Sequence, residues 1–156
     1  MKPWKSIIAG LAIAVAFAFP SSATANLGEE TVESKDPNWV EGRRAIDALD
    51  WKRAVALLSK AAAAEPTNPD IQNWLGFAQR KQGNLNAAFA AYNEALKLNP
   101  NHKAAHEYIG EAYLLTGNVA KAEEHLAELK RLCSPIPCEA LKDLSRAVDE
   151  YKKKKK

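Results

Sequence analysis

A chain of 156 residues, 47% of them apolar, is long enough to bury one core and too short for two comfortable domains. Its 22 basic and 19 acidic residues leave a net charge of +3, which excludes the dense basic face of a nucleic-acid binder. No H-E-x-x-H, nucleophile elbow or phosphate-cradling glycine loop occurs, so catalysis is disfavoured and neither a metal nor another cofactor is expected.

The chain opens with Lys2 and Lys5, then 13 unbroken apolar residues from Ile7 to Phe19, then Pro20 and the small residues Ser21 to Ala25. That order is the layout of a secretory signal peptide over residues 1–25, with Ala23 and Ala25 fitting an A-x-A cleavage site. The apolar run falls short of the about 20 residues that a membrane-crossing helix needs, so no transmembrane anchor is expected in the mature chain. Export is therefore expected, to a bacterial periplasm. Residues 26–34 read as a flexible lead-in.

From residue 35 onward a single offset of 34 aligns three segments, 35–68, 69–102 and 103–136. Trp74-Leu75-Gly76 falls on Tyr108-Ile109-Gly110, and Gly83-Asn84 falls on Gly117-Asn118. Ala88, Tyr92, Ala95 and Leu98 fall on Ala122, Leu126, Leu129 and Leu132. One period earlier stand Gly42, Asp50, Ala54, Leu58, Ala61 and Pro66. Apolar residues recur at helical spacing on both sides of a short polar turn, so each segment is a helical hairpin. Asp50, Asn84 and Asn118 are suited to cap the second helix of each pair. Gly83 and Gly117 suit the left-handed residue that ends the first, and Pro66 and Pro100 close the second. Gly42, Gly76 and Gly110, with Ala54, Ala88 and Ala122, form rows of small residues where two backbones approach closely. Leu49 stands where the later segments have glycine, so the first turn is expected to be shaped differently.

Residues 74–100, W-L-G-F-A-Q-R-K-Q-G-N-L-N-A-A-F-A-A-Y-N-E-A-L-K-L-N-P, resemble the tetratricopeptide repeat in period, small-residue pairs and closing proline. The likeness is fullest over residues 69–132 and looser over 35–68, and the third repeat delays its proline to Pro135. Further on, Leu141, Leu144, Val148 and Tyr151 share one stripe, so residues 137–151 read as a seventh helix capping the last repeat. The expected fold is all-α, a right-handed solenoid of three helix pairs plus this C-terminal cap.

The resemblance implies a non-enzymatic interaction module whose concave face, lined by the first helix of each pair, receives a peptide or helix of another envelope protein. On that mapping the inner rows are Trp39, Asn73 and Glu107, then Arg43, Phe77 and Glu111, then Ile46, Arg80 and Leu114, with Asp47 and Lys81 beside them. Trp39 and Phe77 are the candidate anchors, because large aromatics on an uncovered face call for something to cover them. Plugging the N-terminal edge is the alternative for Trp39. Arg43, Arg80 and Lys81 towards one end and Glu107 and Glu111 towards the other suit a ligand of mixed charge. For each charged residue alone, an ordinary solvated face is the alternative. The lysine, asparagine and arginine set with which some family members grip a client's C-terminal carboxylate is not reproduced, so that clamp is not carried over.

Cys133 and Cys138 flank Ser-Pro-Ile-Pro, and an even count in an exported chain favours a disulfide that fastens the cap to the solenoid. Thiol exchange or soft-metal handling at Cys138, near a helix N-terminus, is the alternative. Glu139 opposes the thiolate, and no C-x-x-C is present. His102 and His106 are four apart but lack further zinc ligands at defined spacing, so they are expected at the surface. The run Lys152, Lys153, Lys154, Lys155 and Lys156 repels itself and is expected to be a disordered tail. It is expected to be solubilising, with weak contact to anions or tethering to anionic envelope surfaces as the alternative.

Overall fold

A computed structural model describes residues 34–155, so the expected signal peptide, most of the lead-in and Lys156 lie outside the described residues. Seven helices follow one another: α1 (Pro37–Asp47), α2 (Trp51–Ala64), α3 (Pro69–Lys81), α4 (Leu85–Leu98), α5 (Lys103–Leu115), α6 (Val119–Leu132) and α7 (Glu139–Lys154). The described residues contain no strand. None of these helices is long and apolar enough to cross a membrane. Each helix packs on its neighbour in sequence, and α7 packs on both α5 and α6. The result is an all-α solenoid.

The starts of α2, α4 and α6 keep the 34-residue step. Their caps follow the expected residues in two cases of three. Asp50 accepts from the Arg53 N–H at 3.0 Å and Asn118 from the Lys121 N–H at 3.2 Å. Asn84 instead donates its amide to Gln82 Oε1 at 2.9 Å and leaves α4 without a side-chain cap.

The glycine row makes room for large side chains rather than for bare backbone. A Cβ on Gly42 would stand 2.9 Å from Leu58, and one on Gly76 would stand 2.7 Å from the Tyr92 ring. At Gly110 the space is taken by Leu144 of α7, 2.7 Å from where a Cβ would be. The third seat thus receives the cap helix, which explains why α7 packs so well without a fourth hairpin. Leu144 and Val148 are buried there beside Leu126 and Leu129.

Two expectations about local shape are corrected. Leu49 adopts φ 58°, the same left-handed region as Gly83 at 90° and Gly117 at 79°. All three turns close with the same two bonds: Leu49, Gly83 and Gly117 donate to Ile46, Arg80 and Leu114, and the next residues donate to Ala45, Gln79 and Tyr113. That is the Schellman closure of a helix end. The first turn is therefore shaped like the others, with leucine held where glycine is at ease. The second correction concerns the tail, because α7 continues through Lys154. Cations in a last helical turn complement the C-terminal end of the helix dipole, and Lys152 reaches Glu123 of α6 at 2.5 Å.

Candidate functional site

The first helices α3 and α5 carry an aromatic cluster that Trp51, at the start of α2, joins. Phe77 lies at its centre, with ring centroids 6.1 Å from Trp51, 5.3 Å from Trp74 and 5.1 Å from Tyr108. Trp74 and Tyr108 are themselves 6.1 Å apart in an edge-on arrangement, a favoured geometry for aromatic pairs. Phe77 and Trp39 are half-buried, so both are partly covered by the protein itself. Trp74 and Tyr108, on first helices, belong to this cluster, and the sequence reading does not assign them. The alignment of Trp74 on Tyr108 is the signal that could have found them.

Cations lie over this cluster. The Arg43 guanidinium stacks 3.5 Å from the Trp74 ring centroid and 5.5 Å from that of Trp39. Its Nε is buried without a hydrogen-bond partner, and burial pulls its pKa down. Arg80 and Lys81 approach Phe77 at 5.4 and 5.3 Å. Lys81 and Asp47 are exposed, whereas the Arg80 side chain is only 8% exposed.

Arg80 and Glu111 do not act as separate charges at opposite ends of the groove. They form an ion pair at 2.7 Å, and the Arg80 Nε–H also donates to the Tyr92 hydroxyl at 3.2 Å. Burial raises the Tyr92 pKa, while Arg80 partly offsets the rise. Burial also pushes Tyr108 up to about 12, helped by Glu107 and Glu111. Glu107 is half-buried and makes no hydrogen bond or ion pair among the described residues. Burial first, then Glu111 and Asp143, push its pKa up to about 8.

Asn73 is not a solvated groove residue: it is 1% exposed, with its carboxamide oxygen buried and unpartnered. Ile46 and Leu114 point into the core and are likewise buried.

The histidines are corrected from surface to interior. His102 is buried and caps α5, its Nδ1 accepting from the Ala105 N–H at 3.2 Å, while its Nε2 meets Asp70 of α3 at 3.1 Å. His106 is buried, with Nε2 donating to the Pro100 carbonyl at 2.9 Å. Its Nδ1 lies 2.9 Å from His125 Nδ1, so one of these two nitrogens donates to the other. Burial first, then His106, pull the His125 pKa down to about 4. No group of three or more His, Cys, Asp or Glu side chains able to hold a metal stands among the described residues. The Cys133 and Cys138 sulfurs lie at 1.99 Å, across the turn between α6 and α7.

A solenoid of such helical repeats belongs to the class of protein-interaction modules. The tetratricopeptide repeat profile matches residues 40–101 and again 78–135, more than half of the chain, and the chain belongs to the tetratricopeptide repeat family. Among solved structures, the type III secretion translocator chaperone SycD of Yersinia enterocolitica superposes with a TM-score of 0.68 at 17% identity, over 76% of this chain and 83% of that one. The TPR2B domain of yeast Sti1, solved as a pHsp70 complex, gives 0.69 at 18% identity over 75% and 94%. At these identities the two share the fold. A mutant of MamA gives 0.58 at 29% identity over 61% and 69%.

Proposed function

We propose that the chain is a non-enzymatic binding protein of the cell envelope that holds a segment of a partner protein in its concave groove. The observation that carries this reading is the set of half-buried Trp39, Trp74, Phe77 and Tyr108 rings, with Arg43 stacked on Trp74 and near Trp39. Aromatic and arginine side chains most often dominate interface energetics, and here the aromatic cluster fixes them in place before a ligand arrives. Tetratricopeptide repeats are protein-interaction folds, which supports binding over chemistry. The envelope location is supported by the N-terminal sequence, with its basic, apolar and small-residue segments. Three repeats make a short groove, so the expected affinity is moderate, on the order of micromolar.

Photo-crosslinking in cells tests the reading, with the crosslinker placed at exposed Lys81 beside the groove or at exposed Lys97 on a second helix. Capture of the same envelope protein from position 81 and not from 97 is the expected result. Capture from 97 alone would move the working surface to the outer face.

A further inference from the structure

The charges along the groove are not equally available. Arg80 and Glu111 neutralise each other at 2.7 Å, and Tyr92 holds Arg80 from behind. On α7, Lys142 is taken by Glu139 at 3.2 Å and Arg146 by Asp143. Lys81 and Asp47 stand exposed, where water satisfies a charge. Two half-buried ionisable groups remain, neither with an ion pair among the described residues: Arg43, whose nearest acidic influence is the exposed Asp47 one turn on, and Glu107, which burial and its acidic neighbours hold largely protonated near neutral pH.

Half-buried unpaired charges are costly, and an opposite charge recovers the cost. Arg43 is held between Trp39 and Trp74, so little side-chain freedom is lost when an acid docks on it. Glu107 faces Glu111 on its own helix, Asp143 and Glu139 of α7 and Arg80 of α3, a mostly acidic surround that a cation would relieve.

We propose that the groove seats an extended partner segment with an acidic side chain on Arg43 and a basic side chain on Glu107. This rests on the groove reading above. The two sites lie two repeat steps apart, and packed helices are about 8–10 Å apart. At about 3.3 Å per extended residue, the acid and the base are separated by about five or six residues.

The test uses the purified protein and fluorescein-labelled synthetic peptides carrying one glutamate and one lysine, at separations from about two to about nine residues, in both orders. Anisotropy at about pH 9, where Glu107 is ionised, should show an optimum near five or six, with about tenfold weaker binding when either charge is removed. Arg43→Gln should abolish the dependence on glutamate only, and Glu107→Gln that on lysine only. The lysine-dependent part should grow about tenfold from about pH 7 to about pH 9 as Glu107 ionises. A flat spacing scan, or variants that leave both dependences intact, overturns the charge assignment. Backbone chemical-shift mapping separates the two failures: shifts in α1, α3 and α5 without charge preference retain the groove and sink only this proposal. Shifts confined to α2, α4 and α6 sink both, and absence of binding by every peptide sinks the charge assignment alone.

Discussion

Replacing Leu49 with glycine should stabilise the fold. An L-residue in the left-handed region costs about 1–2 kcal/mol, and Leu49 sits there at φ 58°. Its side chain is 67% exposed, so little apolar burial is lost with it. Glycine's greater freedom in the unfolded chain returns about 0.5–1 kcal/mol. The net gain is roughly 0.5–1 kcal/mol, which raises Tm by roughly 2–5 °C for a domain of this size. Thermal and urea unfolding followed by circular dichroism measure it, with Gly83→Ala, at φ 90°, expected to move the opposite way. A Leu49→Gly variant that melts lower than the parent would refute the reasoning, because it would mean that Leu49 contributes packing that outweighs its backbone strain.

Gly76→Ala should cost about 1–3 kcal/mol in the same unfolding assay, because its Cβ would stand 2.7 Å from the Tyr92 ring in a closed core. A neutral result would show that the α3–α4 seam can open. Because His125 is drawn down to about 4, the folded state holds fewer protons than the unfolded one below the ordinary histidine pKa. Its contribution is complete above about pH 7 and declines towards pH 4, by on the order of 2 kcal/mol after allowance for partial exposure. The urea midpoint of His125→Gln should therefore fall less steeply over that range than the parent's, and parallel profiles would contradict this. The Cys133 and Cys138 sulfurs should resist thiol labelling in the unreduced protein, and serine at either should cost about 2 kcal/mol. Ready labelling of both would argue against a staple.

The hairpins are legible in the sequence because their signals are local and repeat. Glycine at 42, 76 and 110 marks the seams between helices, and the second-helix starts keep the same step. Leu49 misleads because residue preference argues against leucine in a left-handed turn, whereas the bonds from Leu49 and Asp50 back to Ile46 and Ala45 impose that shape. Contacts between neighbouring first helices are harder to see, because they run slightly short of the period. Arg80 meets Glu111 and Phe77 meets Tyr108 across 31 residues, and Asp70 meets His102 across 32. Rows drawn at 34 place each residue on the right face but separate these partners. They therefore leave Arg80 and Glu111 as independent charges and His102 at the surface. The burial of Asn73 depends on how the large side chains around it settle, which no spacing rule encodes.

The groove mechanism is tested most directly by the equilibrium affinity of the crosslinked partner for two variants of similar stability, Arg43→Gln within the aromatic cluster and Lys97→Gln on α4. The expected result is about tenfold weaker binding for Arg43→Gln and no change for Lys97→Gln, with both unfolding near the parent. Parent-like affinity for Arg43→Gln together with loss of binding for Lys97→Gln would contradict the groove and place the interaction on the outer helices.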